Sequence, residues 1–289
     1  MNKQAIMIIA HNNLFILNNI LSSMDSKYFD FFIHIDKKSN IDINDIKTDL
    51  KYSKVYYYKE FDVRWADFSQ IQCEMFLLNK AYYTNKYSYF HLISGVDFPI
   101  KDNKTLYNFF EKSQKEFVHF EKVNLTGFKK DNYNLYQLFM RNYRNNNIVK
   151  ILNKLFVYFQ KIIGVSRNKK SNIIFATGAN WFSITEKFAE YVISKEKWVN
   201  DTFKFTRSGD EIFLQTILYN SDFINNVYNS DFDDNYIGCM RYIDWNRGNP
   251  YVFQIDDYAE LVDSEFMFAR KFDEKVDKKI IERLSNNDK

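Results

Sequence analysis

The alternation of apolar and polar residues divides the first hundred residues of the chain into strands and helices. Short apolar runs bounded by polar residues predict buried strands over 4–10, 29–36, 54–60 and 87–94. Apolar positions at helical spacing predict helices over 12–23 and about 66–83. Because strand, helix and strand in succession form the parallel crossover unit, these elements predict a nucleotide-binding type of α/β sheet flanked by helices.

The rest of the chain is patterned less regularly. Further strands are predicted near 116–122, 173–184 and 235–244. Further helices are predicted near 102–112, 185–195, 208–219, 256–263 and 274–284. Neither internal repeats nor a linker rich in proline and glycine interrupts the sequence. We therefore expect a single domain over 1–289, in which residues 1–100 form the nucleotide-binding half.

Composition indicates a globular protein and disfavours two large classes of nucleotide-binding enzyme. Of the 289 residues, 46% are hydrophobic, which is enough to fill a substantial core. No glycine of the chain belongs to G-x-G-x-x-G or to the phosphate loop G-x-x-x-x-G-K-[ST], which argues against a dinucleotide-dependent dehydrogenase and a P-loop NTPase. Two widely separated cysteines and the lack of a long apolar stretch favour a cytoplasmic protein.

Basic residues concentrate in the middle of the chain, between residues 122 and 170. Eight lysines and three arginines stand there against one acid, Asp131. Within this region, over 146–163, apolar residues recur at helical spacing with lysines on the other side, which predicts an amphipathic basic helix. The apolar positions are Ile148, Ile151, Leu152, Leu155, Phe156, Phe159, Ile162 and Ile163, and the lysines are Lys150, Lys154 and Lys161.

This basic helix has two main interpretations. The plainer one is a surface helix whose apolar face packs on the core and whose lysine face is solvated. The other is peripheral contact with the inner membrane, where such a helix gains both apolar burial and attraction to anionic lipid. Nucleic acid is not expected as a partner, because no helix-turn-helix, zinc or RNA-recognition signature accompanies the basic residues.

The segment 206–218, T-R-S-G-D-E-I-F-L-Q-T-I-L, places two adjacent carboxylates where a glycine turn becomes an apolar helix. Ser208 or Asp210 can cap the first turn, whose unpaired N–H groups favour a negative charge. Glu211 is then free to act as a general base, anchored by the apolar helix that follows it. The alternative is a plain acidic N-cap, which is the commoner meaning of this pattern.

Polar residues also stand where the predicted strands end. His11 follows the first strand, Asp36 ends the second, and Asp97 follows the fourth within S-G-V-D-F-P-I-K. Ligands of open α/β sheets bind at the carboxyl ends of the strands, so these residues are candidates for nucleotide binding. Asp36 can bind the hydroxyls of a ribose, or it can be a turn residue before Lys37, and both interpretations stay open.

Several blocks of the sequence together resemble one family of enzymes. In order along nearly the whole chain, they include F-I-H-I-D-K-K-S, V-R-W-A-D-F-S, Y-F-H-L-I-S-G-V-D-F-P-I-K, G-A-N-W-F-S-I-T, S-G-D-E-I-F-L-Q-T and F-A-R-K-F-D. This set is similar to the core-2/I-branching β-1,6-N-acetylglucosaminyltransferase and peptide O-xylosyltransferase family. The resemblance implies a GT-A type glycosyltransferase fold with a Rossmann-like mixed sheet, a UDP-sugar donor, and inversion at the anomeric carbon without a required metal ion.

The resemblance also implies roles for single residues on the donor side. The catalytic base of the family matches Glu211, and its phosphate-binding lysine matches Lys271 in A-R-K-F-D. Its arginine lies near Arg247 in W-N-R-G-N-P-Y, where the local spacing differs by one residue, so Arg270 is kept as the alternative. Trp65 looks like the tryptophan that borders the donor pocket. For the basic residues, a surface ion pair with a neighbouring aspartate is the ordinary alternative.

On the acceptor side the assignments rest on fewer motifs. Glu121, in V-H-F-E-K-V, resembles the position at which family members bind the acceptor's hydroxyls with a carboxylate. Trp181 and Trp245 can stack on a pyranose ring, and core filling is the alternative for both. Asp210, beside the expected catalytic base, is also assigned to acceptor binding. These residues make 101–289 the acceptor and catalytic half of the domain.

Neither a metal ion nor another cofactor is expected. The literal D-F-D at 231–233 lies late in the chain within a polar, turn-like run, whereas metal-dependent enzymes of this fold carry Asp-x-Asp after a central strand. The segment after the fourth predicted strand offers the single acid Asp97.

The expected reaction is the transfer of N-acetylglucosamine from UDP to a hydroxyl of a glycan acceptor. Xylose or a galactose-type sugar is the alternative donor sugar, and a non-enzymatic glycan- or membrane-binding module is the alternative from another class. The eukaryotic relatives are membrane-anchored and rich in disulfides, so this chain resembles a bacterial member that builds surface polysaccharide or a glycoconjugate. Its acceptor can then be lipid-linked, which would bring the protein to the inner face of the membrane.

Overall fold

The computed structural model describes residues 2–47, 49–168, 172–232 and 235–286, which fold around a six-stranded mixed sheet. In spatial order, its strands are β3 (Val55–Tyr58), β2 (Phe29–Ile35), β1 (Lys3–Ala10), β4 (Tyr87–Ser94), β9 (Phe182–Thr185) and β6 (Phe117–Val118). The first four run parallel to one another, whereas β9 runs antiparallel to both β4 and β6. The α/β class with a Rossmann-like mixed sheet is confirmed.

Helices cover both faces of this sheet. One core includes side chains of α1 (Leu14–Ser23), α3 (Asn103–Ser113) and α10 (Lys279–Ser285). The other includes side chains of α2 (Ser69–Thr84), α6 (Glu186–Ser194), α7 (Glu196–Phe203) and α8 (Phe213–Tyr219). Because successive residues of a strand point to opposite faces, Ile6 and Ile8 of β1 join the first core while Ala5 and Met7 join the second. Both faces of β1 are therefore buried, as its continuous apolar run predicts.

The remaining elements are short. A three-stranded sheet runs in the order β10 (Arg241–Ile243), β11 (Phe268–Arg270) and β5 (Asp97–Pro99), and a two-stranded sheet pairs β7 (Lys122–Val123) with β8 (Ala176–Thr177). The other α-helices of the described residues are α4 (Gly127–Asn134), α5 (Asn147–Ile162) and α9 (Tyr258–Asp263). Single 3-10 turns lie at Ile43–Asp45, Met140–Asn142, Gly209–Glu211, Asp222–Asn226, Ile237–Cys239 and Ile255–Asp257.

The predicted elements agree closely with the structure up to residue 100 and less well beyond it. The single strands predicted over 116–122 and 173–184 are each two short strands separated by a loop, and the helix predicted over 208–219 is split into a 3-10 turn and α8. The helices α4 and α7 and the strands β5 and β11 lack a sequence prediction. These elements are short and pair with distant segments, so local periodicity carries little signal for them.

The helix α5 confirms the helix predicted over 146–163, but it buries the opposite face from the one expected. Its buried side chains are polar, Asn153 and Gln160, whereas Ile151 and Leu155 of the apolar face are 58% and 60% exposed. The expectation that the apolar face packs on the core is therefore wrong. Periodicity identifies the apolar face of a helix, but contacts with distant segments decide which face is covered. None of the helices in the described ranges combines the length and the apolar content needed to cross a bilayer.

We expect Gly178, between β8 and β9, to tolerate no side chain. A Cβ at Gly178 would lie 1.8 Å from the carbonyl oxygen of His119. Gly178→Ala should therefore lower the free energy of unfolding by about 3 kcal/mol in urea titrations. Gly164→Ala is the control: its Cβ would meet nothing within 4 Å, and only its positive φ of 69° opposes the change. That variant should lose about 1 kcal/mol, and equal losses would contradict the steric argument.

Candidate active site

A cleft of about 960 Å³ opens at the carboxyl ends of the parallel strands. It is lined by Ala10 and His11 at the end of β1, by Asp36 after β2, and by Ser94 at the end of β4. The chain leaves β1 towards β2, whereas β4 lies on the other side of β1, so the cleft stands where the strand order reverses. This is the position at which doubly wound sheets bind their ligands.

Positive side chains outnumber negative ones around the cleft. Its cations are Lys38, Arg64, Arg141, Arg144 and Arg270, and its acids are Asp36 and Glu74. Asp62 forms ion pairs with three of the cations, at 2.6 Å to Lys38, 2.6 Å to Arg64 and 3.6 Å to Arg141. The hydrogen bond from Arg64 is the main reason that the pKa of Asp62 is lowered. A set of cations fixed in this way suits an anionic ligand such as a diphosphate.

Arg270 enters the cleft from the end of β11. Its guanidinium stacks on the ring of Trp181, 3.7 Å from the ring centroid, and its Nη1 lies 3.4 Å from Oδ1 of the buried Asp97. Asp97 also accepts a hydrogen bond from the Ser94 N–H at 2.6 Å. Burial lowers the pKa of Arg270, and the charge of Asp97 opposes this effect. Among the described residues, Nε and Nη1 of Arg270 are buried without a hydrogen-bond partner, and Nη1 faces Asp97.

The residues predicted at the ends of the first two strands meet in this cleft. Asp36 accepts hydrogen bonds from the Lys38 N–H at 2.8 Å and the Val63 N–H at 3.0 Å. It is therefore a turn residue, and it also lines the cleft beside His11. Trp65 is 49% exposed and presents its ring to the same cleft. The structure brings these residues together, and their individual contacts with a donor stay predictions.

Two carboxyl groups are buried between α2 and the turn Gly209–Glu211. Glu74 of α2 lines the cleft, and its Oε2 has no hydrogen-bond partner among the described residues. Asp210 is also buried, and its Oδ1 likewise lacks a partner there. Burial, and then the charge of Asp210, raise the pKa of Glu74 well above its ordinary value. Burial, and then the charge of Glu211, raise the pKa of Asp210 to about 8. Near neutral pH Asp210 therefore favours its protonated form, and burial shifts Glu74 in the same direction.

Glu211 ends the turn and reaches solvent. Its carbonyl oxygen accepts hydrogen bonds from the Gly178 N–H and from the Thr177 hydroxyl, both at 2.9 Å, which fixes the backbone. Desolvation of the carboxyl group, and then the charge of Glu121, raise the pKa of Glu211, while Lys129 opposes them. Lys129 is itself ion-paired with Glu121. A carboxylate with a raised pKa and access to solvent has the properties of a general base.

The acids form a series in which each influences the next. Asp210 acts on the pKa of Glu74, Glu211 acts on that of Asp210, and Glu121 acts on that of Glu211. The structure thus brings three predicted residues, Asp210, Glu211 and Glu121, next to one another. The series begins at Glu74 in the cationic cleft and ends at Glu121, which is exposed.

Asp210 does not have the capping role that the sequence allows. The turn Gly209–Glu211 follows Ser208, which has a φ of 49° and makes no capping hydrogen bond with its side chain. The helix α8 begins only at Phe213, after Ile212, and also lacks a side-chain cap. The expectation of a cap from Ser208 or Asp210 is therefore wrong, because the chain makes a 3-10 turn that directs Asp210 inwards.

Seven predicted residues are absent from the lining of the cleft: Asp97, Glu121, Asp210, Glu211, Arg247, Lys271 and Trp245. Arg247 is ion-paired with Asp244, with Asp257 at 2.6 Å and with Glu260 at 3.4 Å, so the surface ion pair describes its present contacts. Lys271 is half-buried after β11, and Trp245 is 49% exposed. Their roles in binding stay predictions, whereas Arg270, the alternative to Arg247, lines the cleft.

The described residues contain no group of three or more His, Cys, Asp or Glu side chains that could hold a metal ion. Asp233, the last residue of the D-F-D sequence, lies outside the residues that the structure describes. Metal independence and the absence of a cofactor therefore stay predictions.

Glu74 and several of the cations of the cleft were not among the residues predicted from the sequence. Glu74 is a lone acid among the apolar positions Ile71, Met75 and Leu78 of α2, and that interruption of an apolar face is a signal that could have identified it. Arg144 belongs to the basic region 122–170, but no pattern in the sequence connects it with the ends of the strands.

The raised pKa of Asp210 predicts a pH-dependent stability. Because the folded protein holds this proton up to about pH 8 and the unfolded chain releases it near 3.8, the free energy of unfolding should fall as pH rises between these values. Asp210→Asn mimics the protonated form, so its stability relative to the wild type should increase by about 4 kcal/mol from about pH 5 to about pH 8.5. Urea unfolding at both pH values tests this. Asp222→Asn, on the surface, is the control, and a pH-independent difference for Asp210→Asn would contradict the assignment.

The sequence was compared with known proteins. The profile of the family described as Core-2/I-Branching enzyme matches residues 5–267. Xylosyltransferase 2 of Rattus norvegicus is 21% identical over 287 residues, which cover 93% of this chain and 31% of the rat protein. Beta-glucuronosyltransferase GlcAT14B of Arabidopsis thaliana is 25% identical over 118 residues, which cover 38% of this chain and 25% of the plant protein. The chain thus spans about 31% of the length of the rat relative.

Among solved structures, the chain is similar to TarS of S. aureus at 11% identity, with a TM-score of 0.29 and coverage of 79% of this chain and 44% of TarS. A likeness at this score supports no conclusion about the fold. The family match, by contrast, covers most of the chain and agrees with the resemblance seen in the sequence blocks. The mixed sheet of the structure agrees with the expected GT-A type fold. The chain therefore belongs to the core-2/I-branching enzyme family of glycosyltransferases.

Proposed function

We propose that this protein is an inverting, metal-independent glycosyltransferase that moves N-acetylglucosamine from UDP to a hydroxyl of a glycan acceptor. The observation that carries the proposal is the arrangement of charge: a cationic cleft at the strand ends adjoins a series of acids that leads to Glu211. A transfer of this kind needs cations for the departing diphosphate and a separate carboxylate for the attacking hydroxyl. The described residues hold both.

Glu211 acts as the general base of the proposed reaction. It accepts the proton of the acceptor hydroxyl as that oxygen bonds to the anomeric carbon of the donor sugar. The bond between the anomeric carbon and the phosphate oxygen breaks on the opposite face, and UDP leaves with the bonding electron pair. Because the neighbouring Asp210 favours its protonated form, it adds little negative charge beside the base near neutral pH.

Arg270 stabilises the departing UDP in this proposal. Its guanidinium is held at the cleft by Trp181 and Asp97, so its positive charge is fixed where a diphosphate oxygen could lie beside it. Arg64 and Lys38, both anchored by Asp62, add positive charge to the same cleft. Fixed cations of this kind can replace a metal ion at the leaving group. Lys271 is a further donor-side residue in the proposal, carried over from the family, and Arg247 is the family-based alternative to Arg270.

Two alternatives remain for the activity. Xylose is the second candidate donor sugar, because several relatives carry the name xylosyltransferase 2, and a galactose-type sugar is a further one. The other alternative is a glycan- or membrane-binding module without catalysis. It predicts that no donor sugar is released from UDP under any condition, whereas the proposed enzyme releases UDP when donor and acceptor are both present.

The proposal includes a setting for the reaction. We place the protein in the bacterial cytoplasm, in the synthesis of surface polysaccharide or a glycoconjugate, with a glycan acceptor that is lipid-linked. Glu121, Trp181, Asp210 and Trp245 are the proposed acceptor-binding residues. Of these, Glu121 and Asp210 neighbour Glu211 in the acid series, which supports their assignment to the acceptor side.

Replacing the proposed base should slow transfer without loss of donor binding. Glu211→Gln keeps the shape of the side chain but cannot accept a proton at neutral pH. UDP release from UDP-N-acetylglucosamine, measured with a panel of glycan acceptors, should fall by roughly a hundred- to ten-thousand-fold. The affinity for UDP, measured by calorimetry, should stay within a factor of about three. Glu282→Gln on the surface of α10 is the matched control, and normal turnover by Glu211→Gln would refute the role of the base.

The two candidate arginines can be separated by their effect on UDP affinity. If Arg270 binds the diphosphate, Arg270→Ala should weaken UDP binding by about ten- to a hundredfold, as expected for the loss of charge-assisted hydrogen bonds. Arg247→Ala should change the affinity by less than about threefold, because its contacts lie on the surface. The reverse order would assign the diphosphate to Arg247.

In the wild type, EDTA should leave both UDP affinity and turnover unchanged, and a large loss would contradict metal independence.

A further inference from the structure

The helix α5 is attached to the protein through polar side chains. The buried Asn153 donates a hydrogen bond to Oε1 of Gln137 at 3.1 Å. The buried Gln160 accepts from the Tyr136 N–H at 2.8 Å and donates to the Tyr136 carbonyl oxygen at 2.9 Å. These bonds fix the orientation of the helix, because rotation about its axis would leave buried amide groups without partners. The polar side of α5 therefore faces the protein.

The opposite side of α5 is a continuous apolar surface in solvent, here called the α5 apolar face. Its eight side chains are each between 47% and 69% exposed: Ile148, Ile151, Leu152, Leu155, Tyr158, Phe159, Ile162 and Ile163. At about 100° per residue they cover an arc of about 140° along the whole helix. Leu138 and Phe139, beside α5, are also exposed. Soluble surfaces rarely leave so large an apolar patch uncovered, so the face indicates a binding surface.

The charges around this face select the kind of partner. The helix carries Lys150, Lys154 and Lys161 and no acid. On a helical wheel the three lysines lie together on one flank of the apolar arc. Lys161 is ion-paired with Asp131 at 2.5 Å, so Lys150 and Lys154 contribute most of the free positive charge of this flank. An apolar stripe with a lysine border matches the boundary between the anionic headgroups and the acyl chains of a bilayer.

We propose that α5 lies flat on an anionic phospholipid bilayer, with the α5 apolar face inserted below the headgroups and the lysine flank among them. A second copy of this chain fits less well, because α5 has no acid with which to pair the lysines of its partner. Insertion of this kind needs no helix long enough to span the bilayer.

The same helix begins at the rim of the cleft. Asn145 and Asn146 line the cleft, and Asn146 caps the first turn of α5 by accepting from the N–H groups of Ile148 and Val149. A helix lying on the bilayer would therefore bring the cleft close to the lipid surface. Resting on the proposed function, this arrangement specifies the acceptor as a glycan attached to a lipid of that bilayer rather than a soluble glycan.

Vesicle binding tests the inference without reference to catalysis. The whole protein is sedimented with vesicles of phosphatidylcholine mixed with phosphatidylglycerol, and with vesicles of phosphatidylcholine alone. It should bind the mixed vesicles more tightly, and added salt should weaken that binding because it screens the lysines. The double variant Ile151→Glu with Leu155→Glu should weaken binding at least tenfold, since both charges would enter the apolar layer. Lys150→Gln with Lys154→Gln should remove most of the preference for the mixed vesicles.

Val276→Glu is the matched control, because Val276 is 51% exposed on another part of the surface. It should bind vesicles like the wild type, and all variants should keep the thermal stability of the wild type. The inference would be overturned if the wild-type protein bound neither kind of vesicle. It would also be overturned if the double variant Ile151→Glu with Leu155→Glu bound the vesicles as tightly as the wild type. A dimer in solution that the same double variant converts to monomers would overturn it as well. UDP release with a panel of glycan acceptors, both free and lipid-linked, measured on the same samples, shows separately whether the proposed function holds.

Discussion

The parallel pairing of β1 with β2 on one side and β4 on the other fixes the candidate active site. Ile8 of β1 is opposite both Ile33 and Ile93, so the three strands end at one level of the sheet. The ends are tied together where the Asp36 N–H donates to the Ala10 carbonyl oxygen at 2.8 Å. A shift of one residue in this register would exchange the side chains of β1 between the two cores and so disrupt the packing of both. The burial of the central strand on both faces therefore fixes the position of the cleft.

Desolvation divides the charged groups of this site into two sets with different states. The cations around the cleft are held by partners such as Asp62, whereas Glu74 at the cleft and Asp210 behind it are buried with carboxyl oxygens that lack hydrogen-bond partners among the described residues. Burial raises the pKa of both acids, and Glu211 is the member of their series that reaches solvent. The site thus combines fixed cations in the cleft with a carboxyl group at Glu211 that reaches solvent.

Local sequence patterns predicted the first four strands, and with them the meeting of His11 and Asp36 in the cleft, because the ends of parallel strands share one edge of a sheet. The patterns could not decide between Arg247 and Arg270. That choice depends on the pairing of β11 with β5, which is a contact between distant segments. The patterns also could not predict that Asp210 is buried. The same residues are compatible with an Asp210 that caps a helix and with one that points inwards, and the 3-10 turn of the backbone decides between the two.

The helix α5 shows the same limit in its strongest form. Its periodicity is equally compatible with an apolar face turned inwards or outwards, and the decision comes from Asn153 and Gln160, which find amide partners only on the protein side. In water this orientation gives up the apolar burial that the opposite one would provide. The proposed contact with a bilayer would offset this loss, because an apolar phase with an anionic surface would then cover the α5 apolar face beside its lysines.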